Sequence, residues 1–115
     1  MSLTVGQREV DGVTIVDLSG RITLGDESSG KLRKTVQDIL AQGKKKILLN
    51  LGETSYIDSS GLGELVSSYT TASNQGAKVK LLNLQKKVQD LLQITKLYTV
   101  FDTFENEADA ILSFS

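Results

Sequence analysis

This sequence contains no cysteine, no histidine, no proline and no tryptophan. Each absence removes chemistry. Without cysteine there is no disulfide and no thiolate nucleophile, and without cysteine or histidine no zinc site of the usual ligand set. Without histidine, Ser-His-Asp and Cys-His catalysis are excluded. An excess of one charge is also missing, since 13 Lys and Arg stand against 14 Asp and Glu and leave a formal charge of -1. A chain so balanced lacks the broad basic surface that a nucleic acid or an anionic membrane selects. No apolar run approaches the roughly 20 residues of a membrane span. Met1-Ser2-Leu3 leads straight into polar–apolar alternation, without the basic and apolar stretches of a secretory leader. The expectation is a cytoplasmic protein with neither membrane nor nucleic acid as partner.

What is present suffices for one core. The chain has 115 residues, 39% of them hydrophobic, and that length fits a single domain over residues 1–115. No linker, repeat or low-complexity stretch interrupts it. Residues 3–10 and 13–19 alternate around Asp11-Gly12, the pair a type I′ hairpin turn prefers because both central residues need positive φ. Residues 20–25 read as a loop or short extended piece around Ile22 and Leu24. A helix begins between Asp26 and Ser29 and runs to about Gln42, with Leu32, Val36, Ile39 and Leu40 as its apolar stripe and Gly43 as its stop. Residues 47–51 are almost uniformly apolar, as in a strand buried on both faces. A second helix follows Asp58 and ends at Gly76. Residues 79–84 form the next strand, about 85–95 a third helix, 98–104 a last strand, and Ala108, Ile111 and Leu112 mark a closing helix. The expected fold is α/β: a mixed, mostly parallel sheet of about five strands with about four helices and an opening hairpin. Tyr98, Phe101, Phe104 and Phe114 are expected to close the core beneath the last helix.

One segment, residues 49–63, reads as the end of a buried strand, then a polar loop, then a helix start, ending Tyr56-Ile57-Asp58-Ser59-Ser60-Gly61-Leu62-Gly63. The carboxyl end of a strand is where open α/β sheets place functional groups, and a helix start offers unpaired N–H groups. The plain structural reading makes Asp58 or a serine an N-cap and lets Gly61 and Gly63 bring the helix close to the sheet. Three functional readings stand beside it. A nucleotide-cradling loop would end in Gly-Lys-Ser/Thr, and this segment has no lysine. A nucleophilic Ser59 or Ser60 would need a base, and no histidine exists to serve. A serine that receives a phosphoryl group needs only exposure and a surface on which a kinase can dock.

Residues 56–63, following the strand at 47–51, resemble the signature of the bacterial anti-sigma-factor antagonists of the STAS domain family. The opening hairpin, the Gly20 corner, the helix end at Gly76, the strand at 79–84 and residues 88–97 fall in the order of that family. The resemblance implies a protein that, when unphosphorylated, binds an anti-sigma factor that is also a serine kinase, and so releases a sigma factor. It implies that the kinase phosphorylates the hydroxyl residue after the motif's Asp, here Ser59, and that a serine phosphatase reverses the modification. Asp58, Ser60, Gly61, Leu62 and Gly63 would then form the switch loop and partner surface, Ser60 as a neighbouring cap and Asp58 orienting the hydroxyl or capping the helix. The third helix would join partner contacts, with Lys86 and Lys87 on its solvent face. No catalysis, metal or cofactor is implied, and the expected state is a monomer or weak dimer. The alternatives are a STAS scaffold or nucleotide-sensing module that binds another regulator and, remotely, a serine hydrolase with a base other than histidine. Members of the family often carry an acidic residue after the glycine that ends their second strand. Here the run is Gly20-Arg21-Ile22-Thr23-Leu24, and acids return only at Asp26 and Glu27, which changes the charge offered to a kinase.

Three lesser features have ordinary readings. Lys44-Lys45-Lys46 is expected to solvate the entry to a strand and to place cations near the end of the first helix. Glu105 and Asp109 sit on an exposed face. No Asp/Glu spacing matches a calcium loop.

Overall fold

Asp11 and Gly12 adopt φ of 51° and 81°, the paired positive values of the expected turn. They join β1 (Thr4–Val10) to β2 (Val13–Ile22) in an antiparallel hairpin closed by the Val10–Val13 pair. The structure is a computed structural model that describes residues 3–22 and 30–115. After the hairpin come α1 (Lys31–Ala41), β3 (Lys46–Ile57), α2 (Ser59–Asn74), β4 (Lys78–Leu82), α3 (Lys86–Ile94), a 3-10 turn (Leu97–Thr99), β5 (Thr103–Phe104) and α4 (Glu107–Leu112). The five strands lie side by side in chain order, β1-β2-β3-β4-β5, and every pair after the hairpin is parallel. This is the mixed, mostly parallel α/β sheet with four helices that the sequence pattern predicts.

The alternation of side chains along the strands divides the core in two. Val16 and Leu18 of β2, Ile47, Leu49 and Leu51 of β3, and Val79 and Leu81 of β4 pack beneath the apolar stripes of α1, α2 and α3. Val13, Ile15, Leu48 and Leu82 face the other way and are covered by Ala110 of α4 and by Phe114. Lys80 shares that second face and is 8% exposed. Its ammonium donates to the Ser113 carbonyl and hydroxyl oxygens, each at 3.0 Å, and sits 4.7 Å from the centre of the Phe114 ring. A buried cation needs such partners, and these tie the last residues to the sheet. At the sheet's outer margin Arg8 bridges Asp17 and Glu107, both at 2.7 Å, and so joins α4 to the hairpin.

The structure corrects several boundaries. Residues 52–57 form no loop: β3 continues to Ile57 and β2 to Ile22, and the two pair to their ends. Two register shifts put an extra residue of β3 between Asp17 and Ser19 of β2, and another between Gly20 and Arg21. Each bulge turns the strand over, so burial recurs at Leu51, Thr54 and Ile57 rather than at every second residue. The buried Thr54 hydroxyl is satisfied by the Leu18 carbonyl at 3.0 Å. β4 stops at Leu82 because Asn83 takes a left-handed φ of 58°. The expected strand at 98–104 shrinks to Thr103–Phe104, since the chain first makes a 3-10 turn after Lys96 at φ 63°. The late aromatics therefore separate. Phe114 and Phe104 pack near α4, while Phe101 enters the opposite core and meets Tyr69 edge-on at 5.3 Å. Tyr98 is 56% exposed. Lys44 pairs with Glu9, and Lys45 donates to the Gln75 carbonyl just past α2, so that cation serves the end of the second helix rather than the first. The expected helix start at 26–29 lies outside the described residues. The helix is seen from Lys31, preceded by Gly30 at φ 82°.

Candidate functional site

The junction from β3 to α2 is built by Asp58. Its backbone is extended, with φ -95° and ψ -176°, and its carboxylate accepts the Gly61 N–H at 2.7 Å. Its carbonyl accepts the Leu62 N–H at 2.9 Å, and its own N–H donates to the Ile22 carbonyl at 3.4 Å. Asp58 is thus the N-cap of α2, which satisfies one of the helix's unpaired donors and places a negative charge at its positive end.

The two glycines of the segment have different roles. Gly61 is buried, and a Cβ there would collide with the Ile22 carbonyl oxygen, with the carbonyl carbon 2.8 Å away. Only glycine lets α2 begin this close to β2. Gly63 is exposed and a Cβ there would meet nothing within 4 Å. The expectation that both glycines serve close packing holds for Gly61 alone. Leu62 turns inward, 7% exposed, and anchors the first turn in the core.

Ser59 and Ser60 occupy the first two helical positions and are both exposed. Ser59 lines a shallow cleft of about 320 Å³ together with Tyr56, Ile57, Asp58, Lys87 and Leu91. One wall is the end of β3 and the start of α2, and the other is α3. Among the described residues, the cleft's charged groups are Asp58 and Lys87. The exposed ring of Tyr56 is stacked by the Arg21 guanidinium, 4.9 Å from its centre. Pairing of Arg21 with Tyr56 across β2 and β3 makes that contact, and it brings the Gly20 corner to the rim of the Ser59 cleft.

Sequence reasoning named Asp58, Ser59, Ser60, Gly61, Leu62 and Gly63, and the structure brings all six to one helix start. The quoted signature held Tyr56, but Lys87 and Leu91 were not named as neighbours of Ser59. No sequence signal joins residues 87 and 59, because their shared cleft depends on where the sheet places α3. Glu64 was also missed. It is 7% exposed, and its carboxylate accepts the Gly30 N–H at 2.6 Å and the Arg33 guanidinium at 3.2 Å and 3.3 Å. That pairing stabilises the charged form of Arg33 and raises its pKa. The start of α1 is fastened to the second turn of α2 by it. Among the described residues no group of three or more Asp, Glu, His or Cys could hold a metal ion. Among them, too, no helix is long and apolar enough to cross a membrane.

The strand–cap–helix junction, with its serine pair and one buried glycine, agrees with a known family pattern across most of the chain. The family model described as the STAS domain matches residues 6–110. The chain belongs to the STAS domain family. An "Anti-sigma F factor antagonist" of Paenibacillus polymyxa is 27% identical over 112 residues, 96% of this chain and 94% of that protein. An "Anti-sigma-B factor antagonist" of Bacillus subtilis (strain 168) is 29% identical over 102 residues, 89% of this chain and 91% of that one. The fold is also that of the Bacillus cell fate determinant SpoIIAA, solved in its phosphorylated form, with a TM-score of 0.75 at 19% identity over 97% of this chain and 100% of the other. The resemblance read from residues 56–63 is therefore borne out, and so is the STAS-like fold.

Proposed function

We propose that this STAS protein is an anti-sigma-factor antagonist switched by phosphorylation of Ser59. Unphosphorylated, it binds an anti-sigma factor that is also a serine kinase and so frees a sigma factor. The kinase phosphorylates Ser59 and a serine phosphatase restores the binding form. The observation that carries this reading is the exposed Ser59 hydroxyl, directly after the capping Asp58, at the rim of a cleft that a partner can enter. Two relatives that share nine-tenths of their length with this chain bear the name of anti-sigma-factor antagonists, which supports it.

The physical chemistry is consistent. A phosphate adds roughly -1.5 to -2 charges at pH 7. Placed on the first residue of α2 it meets the positive end of the helix, so the fold tolerates it. The partner would then face a bulky anion beside Asp58. Affinity changes through the charge presented, without a rearrangement of the domain. In this reading the protein works in the cytoplasm as one domain over residues 1–115, as substrate and binding module, with the catalytic machinery in its partner.

The test is incubation with anti-sigma factor kinases of this class and ATP, followed by intact and peptide mass measurement. A gain of one phosphate on Ser59, lost in Ser59→Ala, is the expected result. Ser59→Ala still binds the kinase and Ser59→Asp binds it more weakly. Phosphorylation that persists in Ser59→Ala and disappears in Ser60→Ala would move the switch to the neighbouring serine. No modification by any cognate kinase overturns the reading.

A further inference from the structure

The geometry points to Lys87 as the residue that captures the phosphate of phosphorylated Ser59 within the same chain. This inference rests on the proposed role of Ser59 and concerns how that switch is read. Ser59 and Lys87 line one cleft from opposite walls, α2 and α3. Asp58, the other charged group of the cleft among the described residues, accepts the Gly61 N–H with its carboxylate at 2.7 Å. Arg21, contributed by β2, is stacked on the Tyr56 ring, 4.9 Å from its centre, and is not among the residues that line the cleft. On α3, Lys86 pairs with Asp90 one turn away at 3.4 Å. Lys87 is exposed and has no hydrogen-bond or ion-pair partner among the described residues. Leu91, one turn further along the helix, gives its flexible stem an apolar surface to lie on.

A phosphate on Ser59 brings three strong acceptor oxygens into this cleft. A lysine ammonium is a compact charge with three donors on a mobile four-carbon stem. That stem lets the ammonium reach across the cleft toward a phosphate on its facing wall. Phosphorylation then changes the cleft in two ways: it installs an anion, and it occupies the cation that the unphosphorylated protein leaves available to a partner's carboxylate.

The experiment places phosphoserine at residue 59 during translation, so it does not depend on whether any kinase accepts the protein. A kinase that ignores Ser59 would defeat the proposed function while this titration still decides the capture. The second ionisation of the phosphate is followed by phosphorus NMR between pH 4 and 8 at low ionic strength, where exposed pairs are least screened. Its ordinary pKa is about 6, and pairing with Lys87 lowers it. In Lys87→Gln the value rises by about half a pH unit relative to the parent, the span a modest exposed ion pair supports. Lys87→Arg keeps the lower value, and Lys86→Gln titrates with the parent. Circular dichroism checks that every variant is folded. Coincident titration of the parent and Lys87→Gln would overturn the inference. So would a rise in Lys86→Gln as large as that in Lys87→Gln, because the effect would then be general charge and not a pair.

Discussion

Replacing Gly61 by alanine adds one methyl group where α2 meets β2, and the structure makes that methyl expensive. An ideal Cβ would overlap the Ile22 carbonyl oxygen, and it would also lie 2.9 Å from the Ile22 Cγ2. The obstacle is backbone of a paired strand, so no rotamer change relieves it. Overpacking of this kind costs about 1–3 kcal/mol, and an immovable neighbour puts it near the upper end. A shift of the helix start would also strain the Asp58 cap, whose loss costs about 1 kcal/mol. Alanine regains up to about 1 kcal/mol over glycine from helix propensity. The expected net loss is about 2–3 kcal/mol. Gly63→Ala is the matched control, two residues along the same helix, exposed and with nothing within 4 Å. It should gain about 0.5–1 kcal/mol. Urea denaturation of the two variants, with equal slopes, reads both signs. If Gly61→Ala proves as stable as the parent, or if Gly63→Ala loses as much, the close approach of α2 to β2 is not what Gly61 provides.

Two further changes test the fastenings around this junction. Glu64→Gln removes the charge that accepts Gly30 N–H and the Arg33 guanidinium from a site only 7% exposed. It should cost about 1–2 kcal/mol in urea melts, since hydrogen bonds to charged groups are worth roughly 1.5–3 kcal/mol and an amide keeps part of them. Asp17→Asn addresses acid stability. The Arg8 guanidinium, and after it the Asn50 amide, hold the Asp17 carboxyl below its ordinary value of 3.8, against burial that acts the other way. The folded state therefore binds that proton less readily than the unfolded chain. Its stabilising contribution is complete above the ordinary carboxylate value and is lost as pH falls through the lower folded value. Melting temperatures followed from pH 6 down to pH 2 should fall less steeply below about pH 4 in Asp17→Asn than in the parent; parallel curves would refute the assignment.

Much of the fold was legible because local chemistry and tertiary packing agree. Asp11-Gly12 demanded a turn, the run Ile47-Leu48-Leu49 demanded burial on both faces, and the stripe at Leu32, Val36, Ile39 and Leu40 demanded a helix against a sheet. The failures have equally local causes. Residues 52–57 looked like a loop because two bulges break the period of two that marks a strand, and Thr54, a buried polar residue, hid the core position it fills. The last strand looked longer than it is because aromatic residues favour strands in general, whereas Phe101 is buried by a turn that aims it at Tyr69. Propensity reports that a side chain is apolar and branched or aromatic, and not which side of the sheet claims it.

The site divides along the same line. Asp58, Ser59, Ser60, Gly61 and Gly63 lie within six consecutive positions, so their association is covalent and the sequence could display it whole. Lys87 and Leu91 line the same cleft from α3, and Arg21 of β2 stacks on Tyr56 at its rim; only the sheet order brings them there. That difference bears on what each group can determine. The local residues set the shape of the helix start: Asp58 caps it, and Gly61 holds it against the Ile22 carbonyl so tightly that the first turn has little room to move. A charge added to Ser59 on so constrained a turn has one outlet, the surface around it. The response must come from groups that are mobile and ionic, and on the described surface beside Ser59 those are the side chains of α3 and the β2 corner rather than the strand–helix junction itself.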